Sequence, residues 1–226
     1  MKDINVIIQQ NESTLVSVYQ WITDRPKNYQ TEKELEEALL LQLKSQGYIQ
    51  EIIHDNEGLV DNLRRQVERL NNYNFTDKEW NKLLAEYIDN PNQGIEEKSK
   101  KIQEDYIYPL KKDDGSTVNI YLIDKKQIHN NKLQVINQYE VEGKKKNRYD
   151  VTILVNGLPL VHIELKRRGV SVKEAFNQIK RYERESFWAD NGLYEYAQIY
   201  VISNGTETKY YSNTWQCLSI LFNTIF

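Results

Sequence analysis

Residues 149–166 specify two strands and the turn that joins them. Tyr149-Asp150-Val151-Thr152-Ile153-Leu154-Val155 is β-branched and aromatic, and Asn156-Gly157 followed by Leu158-Pro159 is a strong hairpin signal. The segment beyond it, Val161-His162-Ile163-Glu164-Leu165-Lys166, alternates apolar with polar side chains. In an extended chain alternate side chains share a face. Val161, Ile163 and Leu165 can therefore be core while His162, Glu164 and Lys166 project the other way. If the strands pair antiparallel, Asp150 comes close to Glu164.

That pairing has a chemical consequence. Two carboxylates about 4 Å apart repel by roughly 4 kcal/mol at an effective dielectric near 20, and a bound divalent cation reverses the sign. Oxygen ligation by acids, carbonyls and water suits Mg2+ or Mn2+ rather than zinc. The chain has one cysteine, and its three histidines, His54, His129 and His162, have no ligand spacing. His162 shares a face with Glu164 and is expected to line the cleft rather than bind metal. Lys166 is placed to orient water and offset charge on a phosphate. The spacing Asp-x(13)-Glu-x-Lys is loose on its own, and a solvated strand face is the competing reading.

Charge supports the chemical reading. Residues 1–110 hold 13 basic and 20 acidic side chains, whereas residues 111–226 hold 17 and 13, so a whole-chain charge of −3 hides halves of −7 and +4. Residues 144–184 carry eleven basic side chains against four acids, of which two are Asp150 and Glu164. A basic surround with an acidic pair inside it suits a nucleic-acid backbone held over a metal. Arg148, Arg167, Arg168, Lys173 and Arg181 are the candidates for phosphate contacts. The Lys144-Lys145-Lys146 run also reads as a solvated loop.

A helix follows, with Ser171 as its N-cap, Glu174 as the reciprocal partner, and a stripe of Ala175, Phe176, Ile179 and Phe187. Gln178 and Tyr182, one helical turn apart, project together. They could bond a phosphate or position a strand, or Tyr182 could simply pack.

Four runs carry a family resemblance: Arg148 to Leu160, Ile163-Glu164-Leu165-Lys166, Glu174-Ala175-Phe176-Asn177-Gln178-Ile179 with Arg181-Tyr182, and Ile202-Ser203-Asn204-Gly205-Thr206. Together they closely resemble the N-terminal nuclease domain of the R subunit of type I restriction-modification enzymes, over about residues 29–213. The resemblance implies an α/β fold of the PD-(D/E)xK kind, a mixed sheet flanked by helices. It implies Asp150 and Glu164 as metal ligands, Lys166 as the catalytic lysine, and Gln178 and Tyr182 as the Q-x-x-x-Y motif of RecB-like nucleases. Tyr149 stands where the motif name expects proline. Double-stranded DNA is the implied substrate, with methyltransferase (M) and specificity (S) subunits as partners and ATP used only by the full-length subunit.

The same pattern places an acid on the first helix. Thr31 and Glu34 form a capping box there, and Leu35, Leu39, Leu40 and Leu43 form its apolar stripe. Glu36 adjoins that stripe and is carried as an accessory site acid, with Glu32 the weaker choice and a surface role for Glu36 equally open.

The organisation reads as one nuclease domain, with a core at 29–53 and 148–213 and an insertion at 54–147. In the insertion, Leu59–Leu70 and Asp77–Asp89 read as helices. Asp105–Leu110, Thr117–Ile123 and Leu133–Tyr139 read as strands, with a helical piece near Lys125–Asn130. Lone Cys217 and the lack of a signal peptide or membrane-length apolar run point to a bacterial or archaeal cytoplasm. No phosphate-binding loop of the Gly-x-x-x-x-Gly-Lys-Ser/Thr type occurs; the resemblance implies a translocase motor after the nuclease domain, and the apolar tail from Leu218 to Phe226 fits the expectation of a fragment of such a subunit. The alternatives are a non-catalytic DNA-binding or assembly module on the same fold, and a free-standing nuclease.

Overall fold

In the computed structural model the described residues are 5–9, 15–18, 30–112, 114–142, 146–182 and 192–213. Asn5–Gln9 (β1) and Leu15–Val18 (β2) form a small antiparallel pair. Thr31 caps α1 (Glu32–Ser45) through the expected capping box with Glu34, and Leu40 and Leu43 are buried on its inner side. A two-residue strand, β3 (Ile49–Gln50), follows.

The middle of the chain is mostly helical. Asp55 caps α2 (Asn56–Asn71), which ends at left-handed Asn72. The expected helix at 77–89 is α3 (Asp77–Leu83) followed by a π-helical turn, Leu84–Ile88. A further helix, α4 (Ile95–Gln103), was not foreseen, because its inner side carries Lys98 and Lys101 rather than an apolar stripe. β4 (Ile107–Lys111) and β5 (Thr117–Tyr121) pair only with each other. The helical piece near 125–130 shrinks to one 3-10 turn, Ile128–Asn130.

The main sheet then assembles. Leu133–Glu142 (β6), Lys146–Val155 (β7) and Leu158–Leu165 (β8) run antiparallel in succession. α5 (Val172–Tyr182) leads towards a 3-10 turn at Leu193–Tyr196 and then to β9 (Ile199–Ser203) and β10 (Thr208–Ser212). The six strands lie in the order β10-β9-β8-β7-β6-β3, with β8/β9 and β3/β6 parallel and the rest antiparallel. The fold is mixed α/β, a sheet flanked by helices as expected.

The hairpin turn forms as its residues require. Asn156 (φ 50°) and Gly157 (φ 85°) both lie at positive φ, the geometry of the two-residue turn that Asn-Gly favours. Asn156 is buried, accepting from Lys132 N–H (2.8 Å) and donating to the Leu122 carbonyl (3.0 Å). α2 rests directly on Gly157, where an added Cβ would stand 2.6 Å from Leu63 Cα.

Each face of the sheet has its own cover. Val151, Ile163 and Leu165 pack with Leu40 and Leu43 of α1. Leu154, Tyr200 and Ile202 pack with residues of α2 and α5 and with Tyr194 and Tyr196. Phe187, Cys217, Lys144, Lys145, Arg184 and the apolar tail lie outside the described residues.

Candidate active site

Asp150 and Glu164 come together where β7 and β8 part. The last cross-strand pair is Val151 with Ile163. Beyond it, Asp150 Oδ2 accepts the Leu165 backbone N–H at 2.8 Å, so the side chain takes the position a ladder carbonyl would occupy. Leu165 meanwhile pairs with Ser203 on β9. Glu164, on the opposite side of β8 from Leu165, is fully buried.

Burial sets the electrostatics. It raises the Asp150 carboxyl to about 7, with the Glu164 charge adding to the rise and the Leu165 N–H opposing it. Burial likewise raises Glu164 to about 7, against the pull of Lys166 and a hydrogen bond with Asp150. Two carboxyls this close cannot both ionise cheaply, so the charged form of each is disfavoured by the other as well as by desolvation. Lys166 Nζ lies 3.4 Å from Glu164 Oε1 and donates to its neighbour's carbonyl, Leu165 O, at 3.1 Å.

The residues fit a divalent cation. Among the described residues nothing donates a standard hydrogen bond to Glu164 Oε2, although the atom is buried. A buried carboxylate oxygen left in this condition is costly without a positive partner. No three His, Cys, Asp or Glu converge as a finished cage among the described residues. A pair of carboxylates suits Mg2+, which keeps several waters and uses one or two such oxygen ligands.

His162, expected on the cleft wall, lies behind it instead. It is fully buried, with its ring edge-on to Tyr149, Tyr182 and Tyr200 and its Nε2 3.4 Å from Glu164 Oε2. The cause is the cover on this side of the sheet: Tyr182 of α5 and Tyr200 of β9 close over it. Burial holds His162 down at about 4, so it is neutral at ordinary pH.

Gln178 and Tyr182 share a face of α5, and that face looks inward. The Gln178 amide donates to the Tyr182 hydroxyl. That hydroxyl donates to the Arg148 carbonyl at 2.9 Å, and Tyr182 is 1 % exposed. The pair thus grips β7 two residues before Asp150. Ser171 sits just ahead of α5 with its hydroxyl accepting Lys173 N–H at 3.2 Å.

A cleft of about 680 Å3 opens beside Asp150, between the start of α1 and the strands. Glu32 and Glu36 line it, and so do Arg148 and Arg167. The Glu32 carboxylate accepts Arg167 N–H at 3.4 Å. Arg168 instead turns away to the Gly205 carbonyl (3.4 Å), and Arg181 lies 5.3 Å over the Tyr182 ring. Lys173 is exposed at the start of α5. Two cleft residues were not foreseen, Asn137 and Gln138 of β6, which both donate to Glu36. Nothing in a strand of ordinary period marks two successive amides for one side.

Comparison with known proteins gives a consistent set. Residues 29–217 match the family described as Type I restriction enzyme R protein N terminus. A type I restriction enzyme endonuclease subunit of Escherichia coli is 49% identical over 189 residues, covering 83% of this chain and 60% of that protein. Similarly named subunits of Staphylococcus aureus and Staphylococcus saprophyticus are 46% and 43% identical over 190 residues, covering 82% of this chain and 20% of each relative.

Proposed function

Because the chain belongs to the family of type I restriction enzyme R protein N termini, we propose that its cleft is a Mg2+-dependent nuclease centre hydrolysing phosphodiester bonds of double-stranded DNA. One observation carries the reading. Asp150 and Glu164 are delivered from neighbouring strands into contact, Asp150 half-buried and Glu164 fully so, both raised to about 7, with the Lys166 ammonium beside them.

Asp150 and Glu164 would hold the ion, with Asp150 Oδ2 also accepting the Leu165 N–H and Glu164 Oε1 facing Lys166. When bound, Mg2+ or Mn2+ supplies Lewis-acid polarisation of the phosphate and eases ionisation of water. Because burial favours the protonated form of both acids, uptake of a cation would displace protons, and affinity would rise with pH towards about 7. Lys166, its side chain 12% exposed, directs an N–H at the attacking water and offsets charge gathering on the phosphate oxygens. Arg148 and Arg167 hold the DNA backbone at the mouth of the cleft. Gln178 and Tyr182 fix the strand that carries Asp150, and neutral His162 supports Glu164 from behind.

The chain spans 60% of its Escherichia coli relative and a fifth of its staphylococcal ones. Cleavage is therefore proposed for the longer R subunit, in complex with M and S subunits, with ATP consumed outside this region. In that complex Asp150→Ala, Glu164→Ala and Lys166→Ala are expected to abolish DNA cleavage while ATP hydrolysis continues. Retained cleavage in any of the three overturns the assignment.

A further inference from the structure

The cleft wall facing Asp150 contains a distortion that the catalytic trio does not use. Along β6, Val135 packs against α1 and Ile136 packs on the opposite side of the sheet. Regular alternation would send Asn137 to the α1 side and Gln138 away from it. Gln138 instead takes φ 55°, a left-handed conformation that a glutamine adopts only when its surroundings compel it. The alternation resets there, and Tyr139 joins Ile136 in the cluster on the far side. Since Asn137 lies opposite Val151 and Tyr139 opposite Tyr149, the kink falls directly across from Asp150.

Its effect is to turn two successive amides toward one carboxylate. Asn137 Nδ2 donates to Glu36 Oε1 at 2.6 Å, and Gln138 Nε2 donates to Glu36 Oε2. Glu36 is 8% exposed and forms no ion pair among the described residues. Two neutral donors fix the carboxylate plane yet leave each oxygen a second acceptor position. An arginine there would have fixed it as well and cancelled its charge. The carboxylate therefore stays unneutralised on the wall of the cleft that Asp150 lines.

We infer that Asn137 and Gln138 are positioning residues, which hold Glu36 so that its remaining acceptor positions face the hydration shell of a divalent cation at Asp150 and Glu164. The inference rests on the nuclease reading of that site. It assigns a function to a segment whose sequence carries no motif, and it gives the strained φ of Gln138 a purpose.

Gln138→Gly separates side chain from backbone, because glycine accepts the positive φ and removes only the amide. Mn2+ is titrated calorimetrically into this 226-residue chain as wild type, Gln138→Gly, Glu36→Gln, the double variant and Glu164→Gln. Outer partners of metal ligands typically change affinity by tenfold or more. Gln138→Gly is expected to weaken Mn2+ binding roughly tenfold while its melting temperature in EDTA stays at or above that of the wild type. Glu36→Gln should weaken binding similarly, and the double variant should lose no more than either single one. Wild-type affinity in Gln138→Gly, or additive losses in the double variant, overturns the positioning role alone. Equal Mn2+ binding, or none, in wild type and Glu164→Gln overturns the metal site and this inference with it.

Discussion

Glu164→Gln should cost the protein its proposed catalysis and make the metal-free fold more stable. Glu164 is fully buried, and its carboxyl stands at about 7 against an ordinary 4.5. At about 1.4 kcal/mol per pH unit, keeping it ionised near pH 8 costs the fold roughly 3 kcal/mol. Asp150, raised from 3.8 to about 7, carries a similar burden that is partly the same one, since the Glu164 charge is among its causes. Glutamine removes the charge and keeps the shape, while the attraction of Lys166 is lost. The net gain works out at about 2–4 kcal/mol near pH 8, or roughly 5–10 °C for a chain of this size.

The sign can be checked against pH. Both acids bind protons more tightly in the fold than in the unfolded chain. Their contribution is intact below about pH 4 and is lost as pH rises to about 7. His162, depressed from 6.5 to about 4, acts oppositely over the same window. The readout is therefore the difference between variant and wild type, in which His162 cancels. Melting curves in EDTA near pH 4 and pH 8 should show a small difference at the lower pH and the full one at the higher. A Glu164→Gln protein that melts at or below wild type near pH 8 refutes the reasoning, because the buried pair would then not be a source of strain.

Three further outcomes follow from particular contacts. Gly157→Ala forces a Cβ to within 2.6 Å of Leu63 Cα at φ 85°; urea denaturation should show a loss of about 3 kcal/mol or failure to fold, and a change under about 0.5 kcal/mol rejects the close approach. Lys98, fully buried between Asp89 (2.9 Å) and Glu195 (2.5 Å), should cost about 3–5 kcal/mol when changed to methionine; Glu195→Gln added to Lys98→Met should recover part of that, and a further loss argues against the ion pair. Tyr182→Phe deletes the hydroxyl that bridges Gln178 and the Arg148 carbonyl, and should destabilise by about 1–3 kcal/mol while raising the Mg2+ concentration needed for cleavage; an unchanged Mg2+ dependence would confine Tyr182 to packing.

Much of this architecture was legible because its residues obey a local rule. Thr31 and Glu34 announce α1, Asn156-Gly157 announces the hairpin, and the alternation from Val161 to Lys166 separates Ile163 and Leu165 from Glu164. The convergence of Asp150 with Glu164 then follows from antiparallel pairing alone. What escaped notice is what tertiary context decides. α4 buries Lys98 and Lys101, so hydropathy hides a helix whose inner face is satisfied by Asp89, Glu195 and the Tyr87 carbonyl. Gln138 reaches Glu36 only through a left-handed kink that no pattern in β6 foretells. His162 obeys the alternation but ends behind the cleft, because the aromatic cover from α5 and β9 is distant in sequence.

The hairpin of β7 and β8 is held unequally along its length. At Gly157 it is pinned beneath α2, and buried Asn156 ties it to Leu122 and Lys132. At the far end the ladder has stopped, and a single carboxylate, Asp150 to Leu165 N–H, stands in for it. Past that point each strand is carried by its other neighbour, β7 by β6 as far as the Glu142–Lys146 pair and β8 by β9 as far as Leu165–Ser203. The gap between the Asp150 and Glu164 carboxyls is thus framed by two outer strands that carry neither acid, so substitutions in β6 or β9 should shift it as surely as substitutions in the hairpin itself.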